Sequence, residues 1–365
     1  MRPPLLALAI PLLLSGCAAV PSTQDAPAVP IIRTIETLTP KLMAELHVPG
    51  VSIAGISRCR VAWHREFGVR MAEKPGRVRP DTVFEACSMS KTPFAYAVLK
   101  LVEEGTLDLD KPLVDYLGKP YIPDEPLHMK ITARMVLTHT SGLPNWRKGG
   151  WEKNGPLPVL FEPGTKFCYS GEGFLFLQRV VERLTGEPLE RLMRARLLDP
   201  LGMKTSSYVW QKRFEGLAAR GHDAEGKPTE KRPHFKAANA AYSLYTTPTE
   251  YARFLVEIMR KDRSAAHSLS RASIDAMLTP AVRATGRKPV QRRGAPTRGP
   301  VRWGLGWPMV ETASGNRYHH GGSNGQRFRC FCEFDPRRGT GIVIMTNAAS
   351  GEALWRRLIA AVSEP

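Results

Sequence analysis

Apolar residues recur at Ile35, Leu38, Leu42 and Leu46, a helical spacing that gathers them on one stripe. Pro40, behind Thr39, is expected to kink or restart that helix. Val51 to Ile56 and Val61 to Phe67 read as the strands of a hairpin that turns near Arg58-Cys59-Arg60. The period then returns to helical at Phe94, Val98, Leu101 and Val102, with Gly105 as the stop. A mixed, mainly helical region follows to about residue 235, including a helix over 173–184. Near the C-terminus, Phe328 to Phe334 and Gly341 to Thr346 alternate like strands across an Asp335-Pro336 turn, and residues 352–362 are helical again. No internal repeat is visible. Strands at both ends with helices between predict an α+β fold, an antiparallel sheet built from both chain ends, flanked by helices, plus an inserted, mainly helical subdomain. The α/β part is expected over about 31–105 and 236–365, and the helical part over about 106–235.

The first residues follow a different logic. Met1-Arg2 is positive, Leu5 to Leu14 is an apolar stretch of ten residues interrupted by Pro11, and Leu14-Ser15-Gly16-Cys17 follows. Ten apolar residues are too few to span a bilayer and suit a cleaved signal. Residues 1–16 resemble a bacterial lipoprotein signal peptide, in which Cys17 is diacylated and becomes the mature N-terminus. An ordinary secretory signal with an incidental cysteine is the other reading. More than one acyl chain anchors stably, and Ala18 in place of aspartate goes with the outer membrane. Residues 17–30, rich in Pro and Ala, read as a tether. The expectation is an exported protein, lipid-anchored through Cys17 to the outer membrane and facing the periplasm.

Composition narrows the class. Of 365 residues, 42% are hydrophobic and 62 are Gly or Pro, which excludes collagen-like and wholly disordered chains. No apolar run of ~18–20 residues follows the N-terminus, so a polytopic membrane protein is excluded. The 52 basic residues outnumber 34 acidic ones, for a formal charge of +18, but an exported chain is not expected to meet nucleic acid. Arg283, Arg287, Lys288, Arg292, Arg293, Arg298 and Arg302 form an acid-free, Gly/Pro-punctuated run. It reads as a solvated loop, with contact to anionic lipid head groups as the alternative. Cysteines stand at 17, 59, 87, 168, 330 and 332; with Cys17 lipidated, five remain and at least one stays unpaired. Cys330 and Cys332 lie two apart in a strand, pointing the same way, which is poor geometry for a mutual bond.

The central constellation is Ala86-Cys87-Ser88-Met89-Ser90-Lys91. Ser88 and Lys91 are three apart at the expected start of a helix, so hydroxyl and amine share a face. A lysine kept neutral by burial takes the serine proton and leaves a nucleophile. Ser90 lies about 100° round the helix from Lys91 and is the poorer candidate. Alone, the four-residue pattern is common and equally describes a helix start with an exposed lysine.

Three further segments add meaning: Leu137-Thr138-His139-Thr140-Ser141-Gly142-Leu143-Pro144, Pro163-Gly164-Thr165-Lys166-Phe167-Cys168-Tyr169-Ser170-Gly171, and Tyr318-His319-His320-Gly321-Gly322-Ser323. In this order and spacing they resemble the serine β-lactamase and penicillin-recognising family, particularly its class C β-lactamase-like branch of esterases and peptidases. Leu201-Gly202-Met203, Leu244-Tyr245-Thr246-Thr247 and Trp303-Gly304-Leu305-Gly306-Trp307 are similar to the family too, and the likeness runs from Val48-Pro49-Gly50 to Thr346-Asn347. The resemblance implies a β-lactamase-like fold over 31–365, Ser88 as acylated nucleophile, Lys91 as its proton acceptor and Tyr169 as the proton relay to the leaving group. Gly171 stands where the tyrosine motif has asparagine, so the amide contacts must come from elsewhere. His320-Gly321-Gly322 matches the Lys-Thr-Gly position, and Ser323 with Ser88 would supply the oxyanion N–H groups; His319-His320-Gly321 is the alternative register. Losing the motif lysine puts efficient β-lactam hydrolysis in doubt. His139 reads as a structural loop histidine. Cys87 and Cys168, each just before a proposed functional residue, are candidates to pair.

Gly321-Gly322-Ser323-Asn324-Gly325 also satisfies the G-x-S-x-G elbow, which must lead into a helix with its histidine downstream. Here a strand follows and no histidine occurs after His320, so that reading fails. Neighbouring His319 and His320 face opposite ways in a strand, and no metal or organic cofactor is expected. The sequence therefore points to an exported serine hydrolase of small ester, amide or peptide substrates. The alternative is a catalytically weak, penicillin-binding-like lipoprotein that binds peptidoglycan or a partner protein.

Overall fold

The computed structural model describes residues 28–362 except 75, 151–154, 231–233, 290–296, 314 and 326. Cys17 and the expected leader lie outside them. Among the described residues no helix is long and apolar enough to cross a membrane. Helix α1 (Ala28–Glu45) runs unbroken through Pro40, so the expected restart does not occur, and residues 28–30 belong to the helix rather than to the tether.

Strands β1 (Gly50–Ser57) and β2 (Arg60–Gly68) form the expected hairpin. The two-residue β3 (Phe84–Glu85) leads through a 3₁₀ turn, Cys87–Ser90, into α2 (Lys91–Glu103). Residues 91–99 of α2 are all buried, so the helix is enclosed round its whole girth and runs through the core. Short α3 (Leu113–Leu117) and α4 (Ala133–Leu137), the longer α5 (Gly171–Thr185) and short α6 (Leu189–Met193) follow, with long connections between them. Then come β4 (Tyr245–Thr246), which pairs with β3, and helices α7 (Pro248–Met259) and α8 (Arg271–Leu278). Strands β5 (Val282–Arg283), β6 (Thr297–Trp303), β7 (Pro308–Thr312), β8 (Gly315–Asn324), β9 (Phe328–Asp335) and β10 (Thr340–Thr346) precede α9 (Gly351–Ala361).

One antiparallel sheet has the order β2-β1-β10-β9-β8-β7-β6-β5. The chain ends meet in it, Val51 opposite Thr346 and Ile56 opposite Gly341. β1 is buried on both faces. Val51 and Ile53 pack with Ile35, Leu42, Phe331, Trp355 and Leu358 beneath α1 and α9. Ala54 and Ile56 turn the other way, into the larger core around Phe94, Val98 and Phe254. The basic run over 283–302 is not simply a loop. Arg283 lies in β5 and Arg302 in β6, while Arg292 and Arg293 are outside the described residues.

Candidate active site

Ser88 sits in the 3₁₀ turn, half-buried, one residue after Cys87, whose φ of 55° is left-handed. That conformation is uncommon for a side chain and swings the chain from β3 into α2. The α-helix proper begins at Lys91, so Ser88 precedes it rather than opening it. Lys91 is fully buried, with Nζ 3.5 Å from Ser88 Oγ and donating to the Ala241 carbonyl at 2.7 Å. Burial pulls its pKa down, and Tyr169 offsets part of that. An amine so placed is ready to accept the serine proton. Ser90 has structural work instead: it donates to the Cys87 carbonyl at 2.5 Å and accepts from the Leu244 N–H at 3.0 Å.

Tyr169 enters from the loop before α5, with Lys91 Nζ 4.9 Å from its ring centroid. Ser170 caps α5 by accepting from the Gly173 N–H at 2.8 Å. His139 grips the tyrosine from both sides. Its carbonyl accepts from the Cys168 N–H at 2.8 Å, and its Nδ1 accepts from the Ser170 N–H at 3.0 Å. Its ring packs 4.3 Å from the Tyr169 ring. Burial pushes its pKa well below the ordinary histidine range. The residue is thus a structural histidine whose contacts hold Tyr169.

Gly171 is required by packing. A Cβ there would lie 2.5 Å from the Trp146 indole, so that ring occupies the space beside position 171. Nearby, Asn145 Oδ1 accepts from the Gly171 N–H at 3.0 Å and its side chain lines the cleft. The carbonyl of Ala241 and the amide of Asn145 are polar groups that sequence reasoning missed. Neither lies in a recognisable motif.

Strand β8 forms the opposite wall. Its pairing with β7 stops at Tyr318, whereas its pairing with β9 continues to Asn324, so residues 319–324 present an open edge. Gly322 passes so close to the Ser88 turn that a Cβ would lie 2.5 Å from the Ala86 carbonyl oxygen. Ser323 and Ser88 line the same cleft, of about 540 Å³. His320 points into the site, its ring 6.4 Å from Tyr169 and 5.8 Å from Trp303. His319 also lines the cleft but packs against Phe331, 6.3 Å between ring centroids, so of the two neighbouring histidines it is His320 that lies against Tyr169. His320 Nδ1 bonds the Gly321 carbonyl at 2.8 Å. Burial, with Lys91 nearby, lowers its pKa to about 3. It is therefore neutral at ordinary pH and brings no cation. A cation does arrive from elsewhere, in that the Arg287 guanidinium lies 4.4 Å over the Tyr169 ring. A run of basic residues in sequence carried no sign of this.

The five described cysteines are unpaired. Cys87 neighbours Cys330 rather than Cys168. The two thiols of that pair donate to the same Glu85 carbonyl, at 3.3 and 3.1 Å.

A family model described as beta-lactamase matches residues 35–364. Esterase EstB of Burkholderia gladioli is 28% identical over 240 residues, covering 58% of this chain but only 60% of the esterase. Penicillin-binding protein 4 of Amycolatopsis lactamdurans is 26% identical over 349 residues, 87% of this chain and 85% of that protein. The solved structure of D-alanine carboxypeptidase AmpC from Burkholderia cenocepacia superposes with a TM-score of 0.73 at 20% identity, covering 92% of this chain and all of that one.

Proposed function

The chain belongs to the β-lactamase family of serine hydrolases, and we propose that it cleaves an ester or amide bond through an acyl-enzyme on Ser88. The observation that carries this reading is the buried Lys91 amine 3.5 Å from a half-buried Ser88 Oγ, with Tyr169 above it. Lys91 takes the Ser88 proton as Oγ attacks the carbonyl carbon. The N–H groups of Ser88 and Ser323 receive the developing oxyanion, an effect worth about 3–4 kcal/mol per donor. Tyr169, beside Lys91, passes a proton to the departing oxygen or nitrogen. Water then enters, gives up its proton along the same path and releases the acyl group.

The reading favours an esterase or peptidase over an efficient β-lactamase, because the strand position of the motif lysine holds neutral His320. Small D-alanyl peptides and other peptidoglycan fragments fit an exported enzyme. Export and anchoring are part of the proposal and rest on Leu14-Ser15-Gly16-Cys17; incorporation of labelled fatty acid, abolished in Cys17→Ala, tests them. The chemistry is tested with p-nitrophenyl butyrate and a soluble form starting after Cys17, beside its Ser88→Ala variant. Turnover lost in the variant is the expected result. Equal turnover in both removes Ser88 as nucleophile.

A further inference from the structure

We propose that the end of the molecule away from the cleft is a membrane-docking surface, whose basic side chains lie on anionic phospholipid head groups. The inference goes beyond the hydrolase reading and takes its setting from the proposed lipid anchor at Cys17. Helix α1 gives the direction. Its Glu36 accepts from Arg65 of β2 at 2.6 Å, and its Met43 lies over Gly68, where a Cβ would stand 2.6 Å from the methionine methyl. Helix and strand therefore run the same way, and each covers about 10 Å between those contacts. Going back from Glu36 to Ala28 adds about 12 Å, which brings the start of α1 abreast of the start of β2 at Arg60. A chain anchored through Cys17 is thus tied to the membrane at this end. The cleft draws on residues 319–323 at the far end of β8.

The same end is basic. A groove of about 1030 Å³ runs between the β1–β2, β7–β8 and β9–β10 turns, the end of α7 and helix α8. Arg58, Lys261, Arg271, Arg337 and Arg338 line it, against two carboxylates, Asp275 and Glu311. Asp275 is paired with Arg271 at 3.0 Å. Lys261 and Arg337 are exposed and make no ion pair among the described residues, and the same holds for exposed Arg60 at the start of β2 and Arg33 in the second turn of α1. Val29, 45% exposed, adds an apolar side chain in the first turn of α1, which suits the boundary between head groups and acyl chains. Exposed cations are attracted to an anionic leaflet, each worth about fivefold in partitioning. An anchor that holds this end close to the bilayer raises the effective concentration of head groups there, so weak contacts suffice.

The test uses the soluble form starting after Cys17, so neither acylation nor Ser88 chemistry enters the result. Its partitioning is measured onto vesicles of phosphatidylglycerol with phosphatidylcholine, and onto vesicles of phosphatidylcholine alone. Binding to the anionic vesicles only, weakened by added salt, is the expected result. The triple variant Arg60→Gln, Lys261→Gln, Arg337→Gln should bind them on the order of hundredfold more weakly. A control triple, Lys119→Gln, Arg183→Gln, Lys204→Gln, removes three exposed cations of the helical part and should change binding by less than about threefold. Thermal unfolding of both triples, unchanged from the wild type, shows that the fold is kept. Two triple variants that bind alike, or a wild type indifferent to vesicle charge, overturn the proposal. Either result leaves the anchor and the hydrolase standing, since fatty-acid labelling and the Ser88→Ala comparison read those separately.

Discussion

Gly322 offers the sharpest test of how the site is assembled. A methyl group at 322 would lie 2.5 Å from the Ala86 carbonyl oxygen and 2.9 Å from Cys87 Cβ, where ordinary contact begins near 3.4 Å. Strand β8 and the Ser88 turn must therefore separate by about 0.9 Å, and both flanking atoms belong to backbone or its first carbon. Overpacking of this kind costs about 1–3 kcal/mol, a fall in Tm of roughly 1–4 °C for a domain of this size. The same shift moves the Ser323 N–H away from the Ser88 N–H. A displacement near 1 Å costs on the order of 10²-fold in rate, equivalent to about 2.7 kcal/mol of barrier. Gly321 is the built-in control, since a Cβ there meets its nearest atom, the Cys330 carbonyl oxygen, at 3.9 Å. Both alanine variants are assayed for ester kcat/KM and thermal unfolding. A Gly322→Ala protein with wild-type rate and Tm, or a Gly321→Ala protein that loses as much, would refute the close approach of strand and turn as the source of the oxyanion site.

Other consequences follow from the buried groups. Because burial lowers the Lys91 pKa, kcat/KM should rise with pH along a limb lying below the ordinary lysine value near ~10.4. Lys91→Ala should lose that limb and about 10²–10⁴ in rate; a limb at the ordinary value contradicts the assignment. His320 takes its proton near pH 3 when folded and near ~6.5 when unfolded, so the unfolded chain binds the extra proton between these values. Its contribution to stability is complete above about pH 6.5 and is lost as pH falls toward 3. His320→Asn should show a shallower loss of Tm between about pH 6.5 and 4, and an unchanged slope would count against a neutral His320. Restoring asparagine at position 171 should lower stability by about 1–3 kcal/mol without raising activity, because its Cβ meets the Trp146 indole at 2.5 Å. Adding Trp146→Ala should return part of the Tm lost, whereas a more active Gly171→Asn protein would show that the space is open.

What the chain spells out by itself is what depends on neighbours a few residues apart. Alternation located β1, β2, β9 and β10, and the apolar stripe located α2. The three-residue spacing of Ser88 and Lys91 placed amine beside hydroxyl, because the single 3₁₀ turn that leads into α2 spans it. Pro40 does not restart the helix, because a packed stripe of Ile35 and Leu42 outweighs one missing hydrogen bond. Other features were set by partners distant in sequence. Whether His319 or His320 lies against Tyr169 depends on strand register, and a one-residue slip would exchange them. The Cys87 thiol lies beside that of Cys330 in β9 rather than bonding Cys168, and both stay free. Position 171 is glycine because Trp146 packs against it, and His139 holds Tyr169 through bonds that exist only once two loops meet. Arg287 looked like one charge in a solvated run until β5 and β6 carried it over Tyr169. Local spacing determines which groups can react, whereas the packing of sheet edge and loops decides what stands opposite them, because those contacts form only when segments far apart in the chain bury their apolar faces together.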